Sequence, residues 1–235
     1  MFYGKNKAIT FSFDDGIFQD YRLIKLMNKY GLKGTFNINS GRFGDKAELI
    51  LQGESILRNR ITASEVEHLY KGHEVAAHTL THQNLTQIKL EDEIVFQVEE
   101  DRKALSRLVG YEVCGMAYPG SGINNNVRVA EIIKKRTGIK YCRGGLSTKT
   151  FELQENLYQY NPTVHLCGDG FDIINELADE FLRKETREPQ VFFVFGHSYE
   201  FDVTDNWDRL ASFFEKIAFK SDIYYGTNKD VLLNN

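Results

Sequence analysis

Apolar residues follow two periods that alternate along the chain. Short runs in which apolar and small polar residues alternate, or in which apolar residues are continuous, predict β-strands, as at residues 9–13 and 190–196. Between these runs, apolar residues recur three or four positions apart, which predicts amphipathic helices. Strands too apolar to face water imply a parallel sheet covered by helices. About seven such units, with no repeat and no linker, favour one α/β domain over residues 1–235, built as a barrel or a distorted barrel.

The same pattern gives approximate bounds for the elements. Predicted strands cover residues 9–13, 32–39, 73–79, 112–118, 139–143, 190–196 and 222–225. Predicted helices cover residues 21–30, 62–71, 90–109, 127–136, 171–184 and 207–219, and a short last one begins at Asn228. Thr62 and Glu65 form a predicted capping box at the start of the second helix. Residues 40–60 show no clear period, and we expect a long loop there with one short helix.

Composition and charge exclude several classes of protein. The 235 residues carry 29 basic and 33 acidic side chains, a formal net charge of −4, and no basic face that would indicate a nucleic-acid partner. No run of about 18 apolar residues exists, so we expect no membrane-spanning helix. The first residues lack the apolar stretch of a signal peptide, and if the chain is complete we expect a cytoplasmic protein. Three separated cysteines, Cys114, Cys142 and Cys167, indicate buried thiols rather than a disulfide framework or a cysteine zinc site.

Two acidic residues end the first predicted strand. Asp14 and Asp15 follow the apolar run directly, and Gly16 then allows the backbone to turn. Because neighbouring residues of a strand point to opposite faces, the two carboxylates can act together only where the strand ends. Unpaired buried charge is costly, so such a pair indicates a metal, an arginine or a catalytic role. Taken alone, the tripeptide is equally compatible with a solvated turn.

Three of the six histidines also lie where predicted strands end. His78 and His82 form an H-x-x-x-H spacing, in which His78 closes a strand and His82 belongs to the turn that follows. His197 comes directly after a buried apolar run. Parallel α/β folds place their sites at the carboxyl ends of strands, so we expect these rings to converge, although two polar loop histidines explain the H-x-x-x-H spacing equally well. The other three histidines are interpreted as structural: His68, His73 and His165.

Together these residues have the composition of a hydrolytic metal site. One carboxylate and two imidazoles, from Asp15, His78 and His82, suit Zn²⁺, Fe²⁺ or a similar divalent ion and leave positions for water and substrate. Asp14 and His197 then remain as an acid/base pair on either side of the metal water. Metal-assisted hydrolysis requires this combination.

Four motifs follow one another along the chain: Thr10-Phe11-Ser12-Phe13-Asp14-Asp15-Gly16, His78-Thr79-Leu80-Thr81-His82, Ala117-Tyr118-Pro119 and a strand that ends in His197. Their order resembles that of the polysaccharide deacetylase family, the NodB-homology domain. Members of that family are distorted (β/α) barrels that use a divalent metal to remove N-acetyl or O-acetyl groups from chitin, peptidoglycan or xylan. The resemblance therefore implies a distorted barrel and an acetylated saccharide substrate, and it spans roughly residues 8–230 in motif order.

Carried over to the matching positions, the resemblance gives each site residue a role. It implies that Asp14 is the general base and that His197 is the general acid. The expected metal is Zn²⁺, with Co, Mn, Ni or Fe as alternatives. We expect the backbone N–H of Tyr118, before Pro119, to help hold the oxyanion, and the products to be acetate and a free amino sugar. The implied metal ligands are Asp15, His78 and His82.

The chain departs from the family pattern in two places. Many members carry an arginine in the third motif that steadies the catalytic aspartate, and residues 116–119 here read Met-Ala-Tyr-Pro. Arg143, at the end of the next predicted strand, could reach the same place, and a surface arginine is an equal alternative. The Asp and Trp of the fourth motif have no clear counterpart, since the only tryptophan, Trp207, begins a predicted helix. The candidates for orienting His197 are Tyr199, Glu200 and Asp202.

Three functions stay open at this point. The leading one is a metal-dependent hydrolase that removes acetyl groups from a carbohydrate, N-acetyl in preference to O-acetyl. The second uses the same core on a non-sugar or cyclic amide, and the third is a non-catalytic carbohydrate-binding relative. An acid and a base beside the ligand set favour catalysis, because a pure binder needs neither. The missing arginine favours the third function, and the pattern gives no oligomeric state.

Overall fold

The computed structural model describes residues 1–51, 53–166, 170–203 and 205–233. Its strands are β1 (Lys7–Asp14), β2 (Gly34–Ile38), β3 (Glu48–Leu51), β4 (Glu54–Leu57), β5 (Glu74–Ala77), β6 (Gly115–Ala117), β7 (Tyr141–Arg143), β8 (Val164–His165), β9 (Gln190–Gly196) and β10 (Ile223–Tyr225). Its α-helices are α1 (Asp20–Lys29), α2 (Val66–Leu69), α3 (Glu91–Val109), α4 (Val127–Arg136), α5 (Gly170–Arg183), α6 (Glu200–Val203), α7 (Trp207–Ile217) and α8 (Asn228–Leu233). Short 3₁₀ helices lie at Phe2–Gly4, Ser40–Arg42, Ala63–Glu65, Leu85–Gln87 and Leu157–Gln159.

Most of the described strands form one parallel sheet. Seven of them run in the order β7-β6-β5-β2-β1-β9-β8, and β10 pairs with the first residues of β1. The segment before β8 connects the two outer strands, because Tyr160 bridges to Arg143 of β7 and β8 pairs with β9. The sheet therefore curls into a distorted (β/α) barrel with helices outside it, which confirms the predicted fold class.

Alternate residues of β1 face two different environments. Phe11 and Phe13 pack outward under the helices, and the ring of Phe11 lies 5.2 Å from that of Phe214 on α7. Thr10 and Ser12 face the barrel interior, where they share hydrogen bonds with polar side chains of α8 and β2. The period of two thus continues to Asp14, which points into the same polar interior.

The prediction of a long loop with one short helix between residues 40 and 60 is only partly confirmed. Residues 48–57 form an antiparallel hairpin of β3 and β4, which a 3₁₀ helix at Ser40–Arg42 precedes. Leu49 faces Ile56 across the hairpin, and both pack near Ile17 and Tyr199. Each strand is four residues long, too short for a clear period, and its apolar partners lie far away in the sequence.

Other local predictions are confirmed. The capping box is present, since Glu65 accepts hydrogen bonds from both the backbone N–H and the hydroxyl of Thr62. Cys114 and Cys142 are buried free thiols, and burial raises the pKa of Cys142 to about 12. Cys167 lies outside the described residues. Within the described ranges, no helix has the length and apolar character needed to cross a membrane.

Candidate active site

The carboxyl ends of the central strands open into one cleft. The parallel register places Asp14 level with Asn37 of β2, and it places Gly196 of β9 level with the residue before Asp14, so His197 follows at the height of Asp14. The cleft has a volume of ≈ 430 Å³, within the range that holds small ligands. A larger groove of ≈ 760 Å³ lies on the outside, beside the β3–β4 hairpin, and of the candidate site residues it is lined only by Asp202.

Asp14 is held at the bottom of the cleft by two side chains. Its Oδ1 accepts a hydrogen bond from Asn37 Nδ2 at 2.8 Å, and its Oδ2 accepts one from Arg143 Nη2. Arg143 reaches Asp14 from the end of β7 and is only 1% exposed. Burial alone would raise the pKa of Asp14, but Arg143, with help from His78 and His197, lowers it below the ordinary value. Arg143 therefore supplies, from a different strand, the arginine contact that the third motif lacks.

Asp15 lines the same cleft as Asp14, and its backbone is left-handed, with φ of 87°. Its Oδ1 lies 3.0 Å from Arg60 Nη2 and 3.3 Å from His82 Nε2, while its Oδ2 contacts Arg58 Nη2. Burial would raise the pKa of Asp15, but the hydrogen bond from His82 and the surrounding positive charge hold it well below its usual range. Sequence reasoning missed both arginines, because they lie beside a hairpin that was predicted as a loop.

His78 and His82 converge without forming a helix. His78 follows β5, the chain turns, and the two ring centroids lie 5.0 Å apart. His78 Nδ1 donates to the carbonyl oxygen of Ala117 at 2.9 Å, and because a carbonyl only accepts, Nδ1 carries the proton and Nε2 keeps a lone pair. Burial lowers the pKa of His78 to about 4, so the ring is neutral at pH 7.

Backbone strain is concentrated at these residues. Asp15, Thr79 and His82 all have left-handed backbones, with φ of 87°, 61° and 63°. Such conformations cost roughly 1–3 kcal/mol each in non-glycine residues, and they cluster at functional sites where the surroundings enforce them. Here the Asn39 amide enforces the turn, since it donates to the carbonyl oxygens of His78 and Thr79.

Asp15, His78 and His82 fit a divalent metal. One donor atom from each lies within 4.8 Å of the others. A carboxylate and two imidazoles suit Zn²⁺ and similar ions, and they leave coordination positions open. The hydrogen bond that fixes the tautomer of His78 is the arrangement typical of a metal-binding histidine. The structure therefore brings the three residues predicted as metal ligands together in an arrangement that can bind a divalent ion.

His197 faces Asp14 from the end of β9. Its Nε2 lies 4.0 Å from Asp14 Oδ2, and its Nδ1 lies 3.2 Å from Glu200 Oε1. Glu200 also accepts the backbone N–H of His197 at 3.0 Å, which orients the ring. Burial opposes a charged imidazole, but Glu200, with Asp15 and Asp14, more than offsets it and raises the pKa of His197 to about 9.

One histidine lies where the sequence did not predict it. His165 was interpreted as structural, yet it lines the cleft with its Nε2 3.4 Å from Glu200 Oε2. Its ring also stacks on that of Phe195, at 4.4 Å between centroids. No periodic signal precedes the two-residue strand β8, so its position depends on pairing with β9. His68, exposed on α2, and His73, which accepts the Gly34 N–H, lie outside the cleft as predicted.

Two predicted contacts at the site are not made. The backbone N–H of Tyr118 donates to the carbonyl oxygen of Arg143 at 3.0 Å, so this amide is not available to an oxyanion. Pro119 has no N–H and is buried, although the Tyr118 side chain does line the cleft. Asp202, a candidate for orienting His197, instead accepts a hydrogen bond from Trp207 Nε1 at 2.8 Å.

Comparison with known proteins places the chain in a family. A protein-family model described as polysaccharide deacetylase matches residues 3–141, more than half of the chain. The chain belongs to the polysaccharide deacetylase family. Membership supports a hydrolase that acts on acetylated carbohydrates. A comparison with curated proteins gave no match.

Solved structures of similar fold include carbohydrate esterases. The Xyl-CE4 domain of a multidomain xylanase from the hindgut metagenome of Trinervitermes trinervoides gives a TM-score of 0.59 at 15% identity, over 98% of this chain and 90% of that one. A family 4 acetyl xylan esterase from Clostridium thermocellum, in complex with a cobalt ion, gives 0.58 at 12%, over 97% and 91%. A CE4 family pseudoenzyme from Bacillus anthracis gives 0.56 at 15%, over 97% and 66%. At these identities the likeness shows the fold alone.

Proposed function

We propose that this polysaccharide deacetylase family member is a metal-dependent hydrolase that removes acetyl groups from a carbohydrate, N-acetyl in preference to O-acetyl. The contact between Arg143 and Asp14 is the observation that carries the proposal. It keeps a buried carboxylate ionised beside a set of metal-binding residues, as a general base requires. A carbohydrate-binding relative without activity has no need for such a base.

The catalytic groups have separate tasks in this proposal. Asp14 Oδ2 lies 4.0 Å from both His78 Nε2 and His197 Nε2, between the ligand set and the acid, and takes the proton of the attacking water. His197 then donates the proton on Nε2 to the leaving amine, so that acetate and a free amino sugar result. A divalent ion at Asp15, His78 and His82 would lower the pKa of that water and polarise the acetyl carbonyl.

Removal of the metal is expected to abolish activity reversibly. Chelation should reduce acetate release from N-acetylated and O-acetylated oligosaccharides to background, and one equivalent of Zn²⁺ or Co²⁺ should restore it, because the water loses its activation without the ion. Elemental analysis should find bound metal in the His68→Gln control and much less in His78→Gln. Protein that binds no metal contradicts the proposal. Protein that binds metal but releases no acetate from any saccharide would indicate a non-sugar amide substrate or a non-catalytic relative.

Glu200→Gln is expected to shift the alkaline limb of the pH–rate profile to lower pH. The general acid works only while His197 is protonated, so activity falls as pH rises through the pKa of that ring. Glu200 is the main group that raises this pKa to about 9, and its loss should move the limb down by at least about one unit. Asp202→Asn is the matched control, since Asp202 bonds Trp207 instead. If the alkaline limb of the Glu200→Gln variant stays at the same pH as in the native protein, that limb reports the titration of a group other than His197.

A further inference from the structure

We propose that Arg58 binds a carboxylate of the substrate, so that the preferred substrate is an acidic acetylated saccharide; the inference rests on the proposed function. Arg58 follows β4 and extends from the hairpin into the cleft, where its Nη2 contacts Asp15 Oδ2. Its guanidinium lies 5.4 Å from the centroid of the Tyr199 ring on the same wall. The charge is therefore next to the predicted metal ligands, within reach of a bound sugar.

Asp15 is already neutralised without Arg58. Arg60 Nη2 lies 3.0 Å from Asp15 Oδ1, and Arg60 Nη1 donates both to the carbonyl oxygen of Asp15 and to Asn39 Oδ1 at 2.6 Å. The Arg60 side chain is 3% exposed, against 22% for that of Arg58. One carboxylate thus meets two guanidinium groups, and the second is the one that faces the open cleft.

The guanidinium of Arg58 also has an N–H donor that makes no hydrogen bond to the described residues. Its Nε is buried and has no hydrogen-bond partner among the described residues. Its one ion pair in that part of the chain is with Asp15 Oδ2. A carboxylate ligand can take two parallel N–H donors from one guanidinium, which a neutral sugar hydroxyl cannot match.

The charge of the whole cleft favours an anionic ligand. Asp14 and Asp15 line the cleft together with Arg58 and Arg143. Behind the wall, Glu200 pairs with His197 and Arg60 pairs with Asp15, so the acidic and basic side chains balance. A divalent ion on Asp15 would add two more positive charges and weaken the hold of Arg58 on that carboxylate. An acidic saccharide offsets this excess, and a neutral one does not. The balanced groups are Asp14, Asp15 and Glu200 against Arg58, Arg60 and Arg143.

A matched pair of ligands tests the proposal. The binding of N-acetylglucosaminyl-glucuronic acid and of its methyl ester to zinc-loaded protein would be measured by calorimetry, together with metal content and acetate release. We expect native protein to bind the acid at least about 10-fold more tightly, the worth of one charge-assisted hydrogen bond, and Arg58→Gln to lose that preference. Arg42→Gln is the control, because Arg42 lies in the 3₁₀ helix before the hairpin and pairs with Asp45 outside the cleft, and it should keep the preference.

The other possible results contradict either the role of Arg58 or the proposed function. A preference for the acid that survives in Arg58→Gln assigns the carboxylate to the metal and overturns the proposal. The absence of a preference in native protein also overturns it, and acetate release from neutral saccharides then leaves the proposed function intact. Acetate from no saccharide at all contradicts the proposed function itself. If Arg58→Gln fails to hold zinc, Arg58→Lys replaces it, and an undiminished preference there counts against a role for the guanidinium fork.

Discussion

Asp14→Asn is expected to lower kcat for acetate release by about 10²–10⁴-fold, the usual contribution of a general base. The amide cannot take a proton from water, whereas the predicted metal ligands Asp15, His78 and His82 are untouched. The variant should therefore keep its metal while it loses turnover. Acetate assays and elemental analysis on the same samples measure both quantities. A kcat within a few-fold of native would assign the base to another residue.

The stability of this variant provides an internal control. The neutral amide would leave Arg143, which is 1% exposed, as a buried cation without its carboxylate, and breaking such a pair costs about 3–5 kcal/mol. The double variant Asp14→Asn with Arg143→Met removes that charge and should recover most of the lost free energy of unfolding. Because the base is still absent, it should not recover activity. Recovered activity in the double variant would show that the single variant had failed only through unfolding.

Arg143→Met alone should reduce both stability and turnover. The buried Asp14 carboxylate would keep the hydrogen bond from Asn37 but lose its ion pair with Arg143, so we expect a loss of about 3–5 kcal/mol in the free energy of unfolding at pH 7. Without its second anchor the base also moves, and a small displacement at a reacting group can cost about 10²-fold in kcat. Denaturant titration and acetate assays measure the two effects.

The matched control for this variant is Arg209→Met. Arg209 pairs with Asp172 at 2.7 Å, but both side chains are largely exposed. Exposed ion pairs contribute only about 0–1 kcal/mol, so the control should unfold and react almost as native protein does. Equal losses of unfolding free energy and of kcat in Arg143→Met and Arg209→Met would mean that the Arg143–Asp14 ion pair contributes no more than an exposed one.

Fold alone does not decide whether the protein is an enzyme. A CE4 family pseudoenzyme shares this fold with carbohydrate esterases, so the evidence for catalysis must come from the residues of the site. In this chain the third-motif arginine is absent, which taken alone favours a non-catalytic relative. The guanidinium of Arg143 occupies the position beside Asp14 from another strand, and this removes the main objection to catalysis.

Much of the site was predictable because its residues lie where strands end. An apolar run marks a buried strand, and the polar residue that follows it lies at the edge of a parallel sheet. Asp14, Asp15, His78 and His197 each follow such a run, so their convergence could be expected from local pattern. Glu200 could also be expected, since it lies three residues after His197, at the start of α6.

The sequence by itself therefore determined the α/β alternation, the ends of the main strands and the set of acids and histidines. Only the tertiary structure decided which distant groups hold them. Arg143 meets Asp14 across 129 positions of the chain, and Arg58 reaches Asp15 from a hairpin whose strands have no clear period. Register and barrel closure determine such contacts, and local periodicity encodes neither. In the closed barrel the Tyr118 N–H donates to the carbonyl oxygen of Arg143, and the pairing of β8 with β9 brings His165 into the cleft.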